Sequence, residues 1–164
     1  PGTTVVLGVE RFGVEPFELV FERAKITKEA VPYYGIREDG IGYIYLESFT
    51  DKASRQVKKA LQDLAKESPK GLILDLRGNG GGLLMEAVKI VSFFTDTKDT
   101  IVSTRGRGGE IQDVYTNAAK SIFPELPLAV LVDGGSASAS EIVAGGLRYG
   151  AGTHHHSCSS HGPL

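Results

Sequence analysis

Two segments of the 164-residue sequence combine residue types that can bind an anion or attack an electrophile. Residues 75–83 read Asp-Leu-Arg-Gly-Asn-Gly-Gly-Gly-Leu, and consecutive glycines free backbone N–H groups to bind an oxyanion or a phosphate. Residues 133–141 read Asp-Gly-Gly-Ser-Ala-Ser-Ala-Ser-Glu and place three hydroxyls near the start of a predicted helix. A serine there can be a nucleophile or a helix cap, and spacing alone does not select among Ser136, Ser138 and Ser140.

The glycine segment does not fit the common nucleotide-binding motifs. The dinucleotide fingerprint fails at its sixth position, which is Leu83, and no Gly-Lys-Ser/Thr follows to complete a phosphate loop. A tight strand-to-helix turn therefore remains the alternative interpretation of the glycines. Around the serines, the Gly-x-Ser-x-Gly elbow is not matched, which disfavours an α/β-hydrolase.

The elements that would position these two segments alternate between strand and helix from residue 40 onward. Apolar periodicity predicts strands at 41–49, 71–76, 100–104 and 126–132, and helices at 51–66, at 83–94 and from about residue 138. This alternation predicts an α/β layered fold with a largely parallel sheet. Both segments then follow the carboxyl end of a strand and precede a helix, where such sheets usually place their chemistry.

The first residues of the chain have a different pattern. Apolar residues alternate at 5–9 and 17–21 around a turn at Gly13, which predicts a β-hairpin. Two strands alone are marginally stable in water, so we expect the hairpin to complete a domain whose earlier part lies outside these residues. Because Pro1 is the first residue and Met85 the only methionine, we expect a fragment or a processed product.

Composition excludes several classes of protein. Eighteen Lys plus Arg and twenty Asp plus Glu give a net charge of −2 with no basic block, which disfavours nucleic acid as a partner. The apolar runs are too short for a membrane segment. The single cysteine, Cys158, cannot form an internal disulfide bond.

With these segments the sequence resembles the carboxyl-terminal processing serine proteases, also called tail-specific proteases, over about residues 1–147. The motifs that carry the resemblance are Gly40-Ile-Gly-Tyr-Ile-Tyr-Leu46, Gly71-Leu-Ile-Leu-Asp-Leu-Arg77 with the glycines after it, Val102-Ser-Thr-Arg-Gly-Arg107 and Gly135-Ser-Ala-Ser-Ala-Ser-Glu-Ile-Val-Ala-Gly145. The resemblance implies an α/β protease core of the crotonase-like (ClpP/crotonase) type, preceded by a peptide-binding PDZ domain. Residues 1–26 would be the last hairpin of that PDZ domain, 27–150 an incomplete protease core, and 151–164 a non-homologous tail without regular structure.

The same resemblance assigns roles to individual residues. Ser138 matches the nucleophile, and the N–H groups of Ala139 and Gly81 match the oxyanion hole. Arg77 and Glu141 match motif residues that support the site. The family implies an endopeptidase without a cofactor that acts on protein or peptide substrates bound through their C-terminal region. It also implies action outside the cytoplasm, in the periplasm, the cell envelope or the thylakoid lumen, although no targeting segment is present.

One element of the family pattern is missing. The family's general base is a lysine, made less basic by desolvation, in a Gly-Lys-Gly motif about 25 residues beyond the nucleophile. Here Pro163 stands at that place, and no lysine follows Lys120. The divergence begins at Arg148, and we favour a shifted reading frame or a truncated gene over a genuine variant. We therefore expect this chain to be inactive; the alternative function is a non-catalytic remnant that binds a peptide or an apolar ligand.

The tail carries further residues that could bind metal, namely His154, His155, His156, Cys158 and His161. They could ligate zinc if they folded together, but three adjacent histidines cannot all face one metal from regular structure. We therefore predict no metal site. A tail histidine as a replacement base is a weaker hypothesis, because no carboxylate stands at a recognisable spacing to orient it.

Overall fold

The computed structural model describes residues 1–24, 28–95, 98, 100–117, 121–123, 126–150 and 156–159, with the backbone alone for 149–150 and 156–159. The strands are β1 Thr4–Arg11, β2 Val14–Glu22, β3 Tyr33–Ile36, β4 Ile41–Tyr45, β5 Gly71–Asp75, β6 Thr100–Arg105, β7 Ile111–Thr116, β8 Leu128–Val132 and β9 His156–Ser159. The helices are α1 Ala53–Ala65, α2 Leu84–Val91 and α3 Ala139–Gly150. None of these helices is both long and apolar enough to cross a membrane.

A five-stranded sheet with the order β3-β4-β5-β8-β9 forms the centre of the described chain. Strands β4, β5, β8 and β9 are parallel, and β3 runs antiparallel to β4 at one edge. This confirms the predicted α/β fold with a largely parallel sheet. Asp75 at the end of β5 is in register with Tyr45 of β4 and Leu131 of β8, so the segments after these strands leave the same edge of the sheet.

Helix α1 shows why this sequence packs onto the sheet. Its buried apolar residues recur every three or four positions, which places them on one face of the helix: Ala53, Val57, Ala60, Leu61 and Leu64. The side chain of Lys52 does not cap the helix. Instead Glu86, a buried residue of α2, accepts a hydrogen bond of 2.7 Å from the Ser54 N–H, which satisfies one free donor of the first turn and ties the two helices together.

The hydrophobic core lies between the sheet and the helices. The alternate strand residues Ile44, Leu72, Leu74, Leu128 and Val130 are at most 4% exposed. From the helices, Leu61, Ile90, Val91, Val143 and Leu147 join the same cluster with no exposed surface. The core thus fixes the positions of β5, β8 and α3, which the candidate site uses.

The predicted hairpin is confirmed as β1–β2, an antiparallel sheet separate from the central one. None of the described residues 1–24 is buried. Seven large apolar side chains of this region are exposed: Val6, Leu7, Phe12, Val14, Leu19, Val20 and Phe21. The hairpin therefore adds no residue to the described core.

The structure corrects several predicted bounds. The strand predicted at 41–49 ends at Tyr45, because the backbone beyond it turns toward the glycines, where the Phe49 N–H donates to the Gly81 carbonyl. The helix predicted at 83–94 is α2 and ends at Val91. Strands β3 and β7 were not predicted; both are short, and the apolar residues of β7, Ile111, Val114 and Tyr115, do not alternate along the strand, so apolar periodicity gave no signal.

The tail differs from its prediction. The expectation that 151–164 lacks regular structure is wrong for His156–Ser159, which pair as β9 in parallel with β8. Backbone hydrogen bonds along the edge of β8 require no apolar side chains, so composition could not indicate this pairing. The rest of the tail lies outside the described residues, and its lack of homology stays a prediction.

Candidate active site

The two segments singled out in the sequence meet at the carboxyl edge of the sheet. We call residues 76–83, which follow β5, the glycine loop, and residues 133–138, which follow β8, the serine loop. Because β5 and β8 are adjacent and parallel, the two loops leave the sheet side by side. A Cβ built on Gly135 would lie 3.0 Å from the Gly78 Cα, so the two backbones nearly touch.

Four hydrogen bonds join the glycine loop to the serine loop and to the first turn of α3. The Asp133 Oδ1 accepts from the Gly78 N–H at 2.9 Å, and the Ser136 hydroxyl donates to the Leu76 carbonyl at 2.7 Å. The Asn79 carbonyl accepts both from the Ala137 N–H at 3.1 Å and from the Ser140 hydroxyl at 2.8 Å. Two of the three candidate serines, Ser136 and Ser140, therefore use their hydroxyls to hold the loops together.

Ser138 is arranged differently from the other two serines. It is exposed, its φ is +56°, and it directly precedes the first residue of α3. Its N–H donates to the Glu141 Oε2 at 2.6 Å, which is one half of a capping box. No hydrogen bond among the described residues involves the Ser138 hydroxyl. The predicted supporting residue Glu141 thus caps the helix, and the Ser138 hydroxyl is left free for chemistry.

Gly81 lies against Ser138, as the predicted site requires. A Cβ on Gly81 would lie 2.8 Å from the Ala137 carbonyl oxygen, 2.9 Å from the Ser138 Cβ and 3.1 Å from the Ala139 nitrogen. Its φ of +104° is also one that residues with a side chain rarely adopt, so only glycine fits both restraints. The predicted residues Gly81, Ser138 and Ala139 are thus brought together at the N-terminus of α3, where backbone N–H groups are not used by the helix.

Asn79 is the residue of the site that sequence reasoning missed. Its side chain is fully buried, donates to the Leu46 carbonyl at 2.8 Å and accepts from the Gly81 N–H at 2.9 Å. The Gly81 N–H, one of the two predicted oxyanion donors, is therefore already hydrogen-bonded within the chain. The available signal was an asparagine between glycines immediately after a buried strand, a position at which a side-chain amide can replace missing backbone partners.

Arg77 supports the end of β5 rather than the serine. Its Nε and Nη2 donate to the Asp75 carboxylate, with Nη2 to Oδ2 at 2.6 Å, and the Tyr43 hydroxyl donates to the same Oδ2 at 2.6 Å. Burial raises the pKa of Asp75, but the hydrogen bonds from Arg77 and Tyr43 outweigh it and lower that pKa below its ordinary value. Asp75 therefore remains an anion in the buried end of the strand.

Asp133 stabilises the end of β8 as Asp75 stabilises the end of β5. Besides Gly78, its Oδ1 accepts from the Gly135 N–H at 2.9 Å. Hydrogen bonds from these two backbone N–H groups, that from Gly78 being the stronger cause, lower the pKa of Asp133. A carboxylate thus holds the first residues of both loops in place at neutral pH.

The described residues place no lysine against Ser138 and no metal-binding cluster in the chain around it. None of the lysines among them forms a hydrogen bond with it, and they contain no cluster of three or more His, Cys, Asp or Glu side chains that could hold a metal ion. The predicted tail ligands His154, His155 and His161 lie outside the described residues, and His156 and Cys158 are described by their backbone alone.

Comparison with known proteins assigns the chain to a family. Peptidase family S41 matches residues 40–152, which is more than half of the chain. The carboxy-terminal-processing protease of Bartonella bacilliformis is 43% identical over 155 residues, covering 90% of this chain and 34% of that protein. The carboxy-terminal processing protease CtpA of Bacillus subtilis is 34% identical over 146 residues, covering 89% of this chain and 31% of that protein. The chain thus spans about a third of the length of these relatives.

Solved structures agree with the sequence relatives. A photosystem II D1 C-terminal processing protease superposes with a TM-score of 0.66 at 28% identity, covering 90% of this chain and 41% of that one. An S41 protease structure from Bacteroides fragilis, titled as putative, superposes with a TM-score of 0.65 at 18% identity, covering 94% of this chain and 47% of that one, and supports the fold alone. From sequence and fold together, the chain belongs to peptidase family S41, among the carboxy-terminal processing serine proteases.

Proposed function

We propose that this chain carries the nucleophile and the oxyanion hole of a carboxyl-terminal processing serine endopeptidase that uses a Ser/Lys dyad. The observation that carries the proposal is the contact of Gly81 with Ser138 and Ala139 at the N-terminus of α3. This contact places a free hydroxyl beside backbone N–H groups and the positive end of a helix dipole.

In the proposed reaction, the Ser138 hydroxyl oxygen attacks the carbonyl carbon of the scissile peptide bond, and its proton passes to the lysine base. The carbonyl oxygen becomes an oxyanion, which accepts hydrogen bonds from the Ala139 and Gly81 N–H groups. The leaving amine takes the proton, and water then hydrolyses the acyl ester on Ser138. The Gly81 N–H is shared in this step, because Asn79 Oδ1 already accepts from it.

The lysine base is the part of the dyad that these 164 residues do not supply. No lysine follows Lys120 in the sequence, and no described lysine is hydrogen-bonded to Ser138. A serine hydroxyl is a weak nucleophile at neutral pH, and the loss of a base that works with it typically lowers the rate by orders of magnitude. We therefore propose that the chain by itself has no measurable turnover.

The family also suggests features of the whole protein. We propose a crotonase-like core, a PDZ origin for the hairpin β1–β2, substrates recognised through their C-terminal region, and action outside the cytoplasm. The exposed apolar side chains of the hairpin support a further domain packed on it. The relatives named as chloroplastic, including that of Arabidopsis thaliana at 36% identity, agree with a location such as the thylakoid lumen.

The second candidate is the non-catalytic remnant. It is favoured by one observation, the absence of a lysine after Lys120, since backbone N–H groups at the start of α3 can bind a peptide carbonyl without a base. The two candidates differ in whether a restored lysine restores cleavage.

A restoration experiment tests the proposal. Residues 148–164 are replaced by a family-type ending that carries Gly-Lys-Gly, a PDZ portion is joined to the N-terminus, and casein cleavage is measured. We expect the 164-residue chain to be inactive and the restored protein to cleave casein. Ser138→Ala should abolish that cleavage, whereas Ser136→Ala, matched in chemistry, should leave part of it. Cleavage that survives Ser138→Ala, or Ser138-dependent cleavage by the chain as it stands, would contradict the Ser/Lys assignment.

A further inference from the structure

A second concave surface lies away from the two loops, between α1, α2 and β7. This groove has a volume of about 610 Å³, within the range of ligand sites. Its floor is formed by Val88 and Phe93, which are 5% and 8% exposed, and Met85 and Val114 stand exposed at its sides. None of the residues of the candidate active site lines it.

One wall of the groove is the edge of strand β7. Val114, Tyr115 and Thr116 all line it, although consecutive side chains of a strand point to opposite faces. No residue of the paired strand β6 lines the groove, so the groove lies on the side of β7 that faces away from β6. The other edge of β7 is paired with β6, and in the described part of the chain no strand pairs with the edge that faces the groove. That edge presents backbone N–H and C=O groups without strand partners.

The rim of the groove is positively charged. Arg55 and Lys58 lie three residues apart on α1, and neither side chain forms an ion pair or a hydrogen bond within the described residues. Lys89 of α2 also lines the groove, and it is paired with Glu86 at 2.7 Å. No carboxylate is among the described residues that line the groove. The surface thus combines an apolar floor, an open strand edge and two uncompensated cations.

We propose that this groove binds an extended peptide as an additional strand on β7, with apolar side chains on the floor and acidic side chains facing Arg55 and Lys58. Backbone hydrogen bonds to the strand edge supply affinity, and the alternation of side chains supplies selectivity. Such a site takes unfolded, acidic segments of a polypeptide. Binding in the groove does not require Ser138. If the chain acts as the proposed peptidase, the groove is a second contact for its protein substrates.

Peptide binding to the 164-residue chain tests this site without any catalysis. The probe is a fluorescein-labelled octapeptide that alternates valine and glutamate, followed by fluorescence anisotropy at low and high salt. We expect Arg55→Glu combined with Lys58→Glu to weaken binding about tenfold, and added salt to weaken binding to the unaltered chain. The matched control is Arg11→Glu with Arg23→Glu, which changes the net charge equally on the hairpin and should leave affinity unchanged.

Two further measurements distinguish a peptide bound as a β-strand from other ligands in the groove. Methylation of alternate backbone nitrogens of the peptide should abolish binding, because the added strand then cannot donate to β7. Val114→Glu, at an exposed position that should not disturb folding, should also weaken binding. Equal affinity of the methylated peptide, or equal binding of decanoate at the same residues, would assign the groove to an apolar anion and overturn the proposal. An affinity unchanged by both groove variants would overturn it as well.

Discussion

The joined loops and the hairpin β1–β2 differ in the kind of side chain that each buries and exposes. The loops and the residues next to them bury polar side chains: Asn79 and Ser140 are fully buried, and Asp75 is 1% exposed. The hairpin exposes apolar ones, with Val20 at 66% and Phe12 fully exposed. In the loops each buried polar group is matched by a partner, whereas the hairpin's apolar side chains have no described core to enter. The comparison shows that the loops are restrained by hydrogen bonds between buried polar groups, whereas the hairpin has no comparable set of buried contacts among the described residues.

Asn79→Ala should lower the free energy of unfolding more than any other substitution considered for these two regions. The substitution leaves the Leu46 carbonyl and the Gly81 N–H buried without partners and opens a small cavity, which we expect to cost about 2–4 kcal/mol of the free energy of unfolding. Urea denaturation, followed by circular dichroism, measures this loss in the free energy of unfolding. Val20→Ala in the hairpin is the control and should cost far less; equal losses at the two positions would refute the contrast.

Gly81→Ala should cause the next largest loss in the free energy of unfolding. The methyl group would meet the Ala137 carbonyl at 2.8 Å, and the residue would be held at a φ of +104°. We expect a loss of about 1–3 kcal/mol in the free energy of unfolding. Gly80→Ala, one position earlier, has no atom within 4 Å of the new methyl and should change stability by less than about 0.5 kcal/mol. Similar losses in both variants would show that the contact with the serine loop does not restrain Gly81.

The acid stability of the loops should depend on Asp133. Its pKa is lowered in the folded chain from the ordinary 3.8, so its contribution is complete above that value and is lost as the pH falls through the lower folded pKa. Asp133→Asn should therefore lower the melting temperature at neutral pH. As the pH is lowered, the melting temperature of the variant should fall less than that of the unaltered chain. Asp51→Asn is the control, because Asp51 is exposed and has no hydrogen bond or ion pair among the described residues. An unchanged acid profile in Asp133→Asn would mean that the loops are not held by this carboxylate.

Val20→Thr should have the smallest effect on stability, and it tests whether the exposed apolar side chains of the hairpin contribute to folding. At a position 66% exposed, replacing a methyl by a hydroxyl should change the free energy of unfolding by less than about 0.5 kcal/mol. The same substitution at the fully buried Val57 should cost several times more, because it buries a hydroxyl in the core. A large loss at Val20 would indicate that the hairpin buries this face against a second copy, which gel filtration at two concentrations would detect.

Much of the fold could be predicted because its signals are local. The spacing of Val57, Leu61 and Leu64 predicts the buried face of α1, and the apolar runs at 71–76 and 126–132 predict β5 and β8. The outward-facing β7 and the backbone pairing of β9 lack such patterns and were missed. Neither segment has the alternation of apolar and polar residues that identifies a half-buried strand.

The candidate site was predictable only in part for the same reason. Glycines and serines in two loops could be recognised one loop at a time, and a resemblance to a family selected Ser138. The commitment of Ser136 and Ser140 to the glycine loop depends on contacts between residues 60 and 61 positions apart, which no local pattern contains. The role of Asn79 likewise follows from the distance between Gly81 and Leu46 in space, not from its neighbours in sequence.

The sequence separation of these contacts also bears on the order of folding. The hydrogen bonds that join the loops close segments of 55 to 61 residues, whereas α1 and the hairpin form from neighbours in the chain. Long segments cost more chain entropy to close, so we expect the loops to be joined late, after the sheet has brought β5 and β8 together. Gly81 and Ser138 would therefore come into contact only in the last stage of folding, and the site built from them would be the last part of the chain to take its final shape.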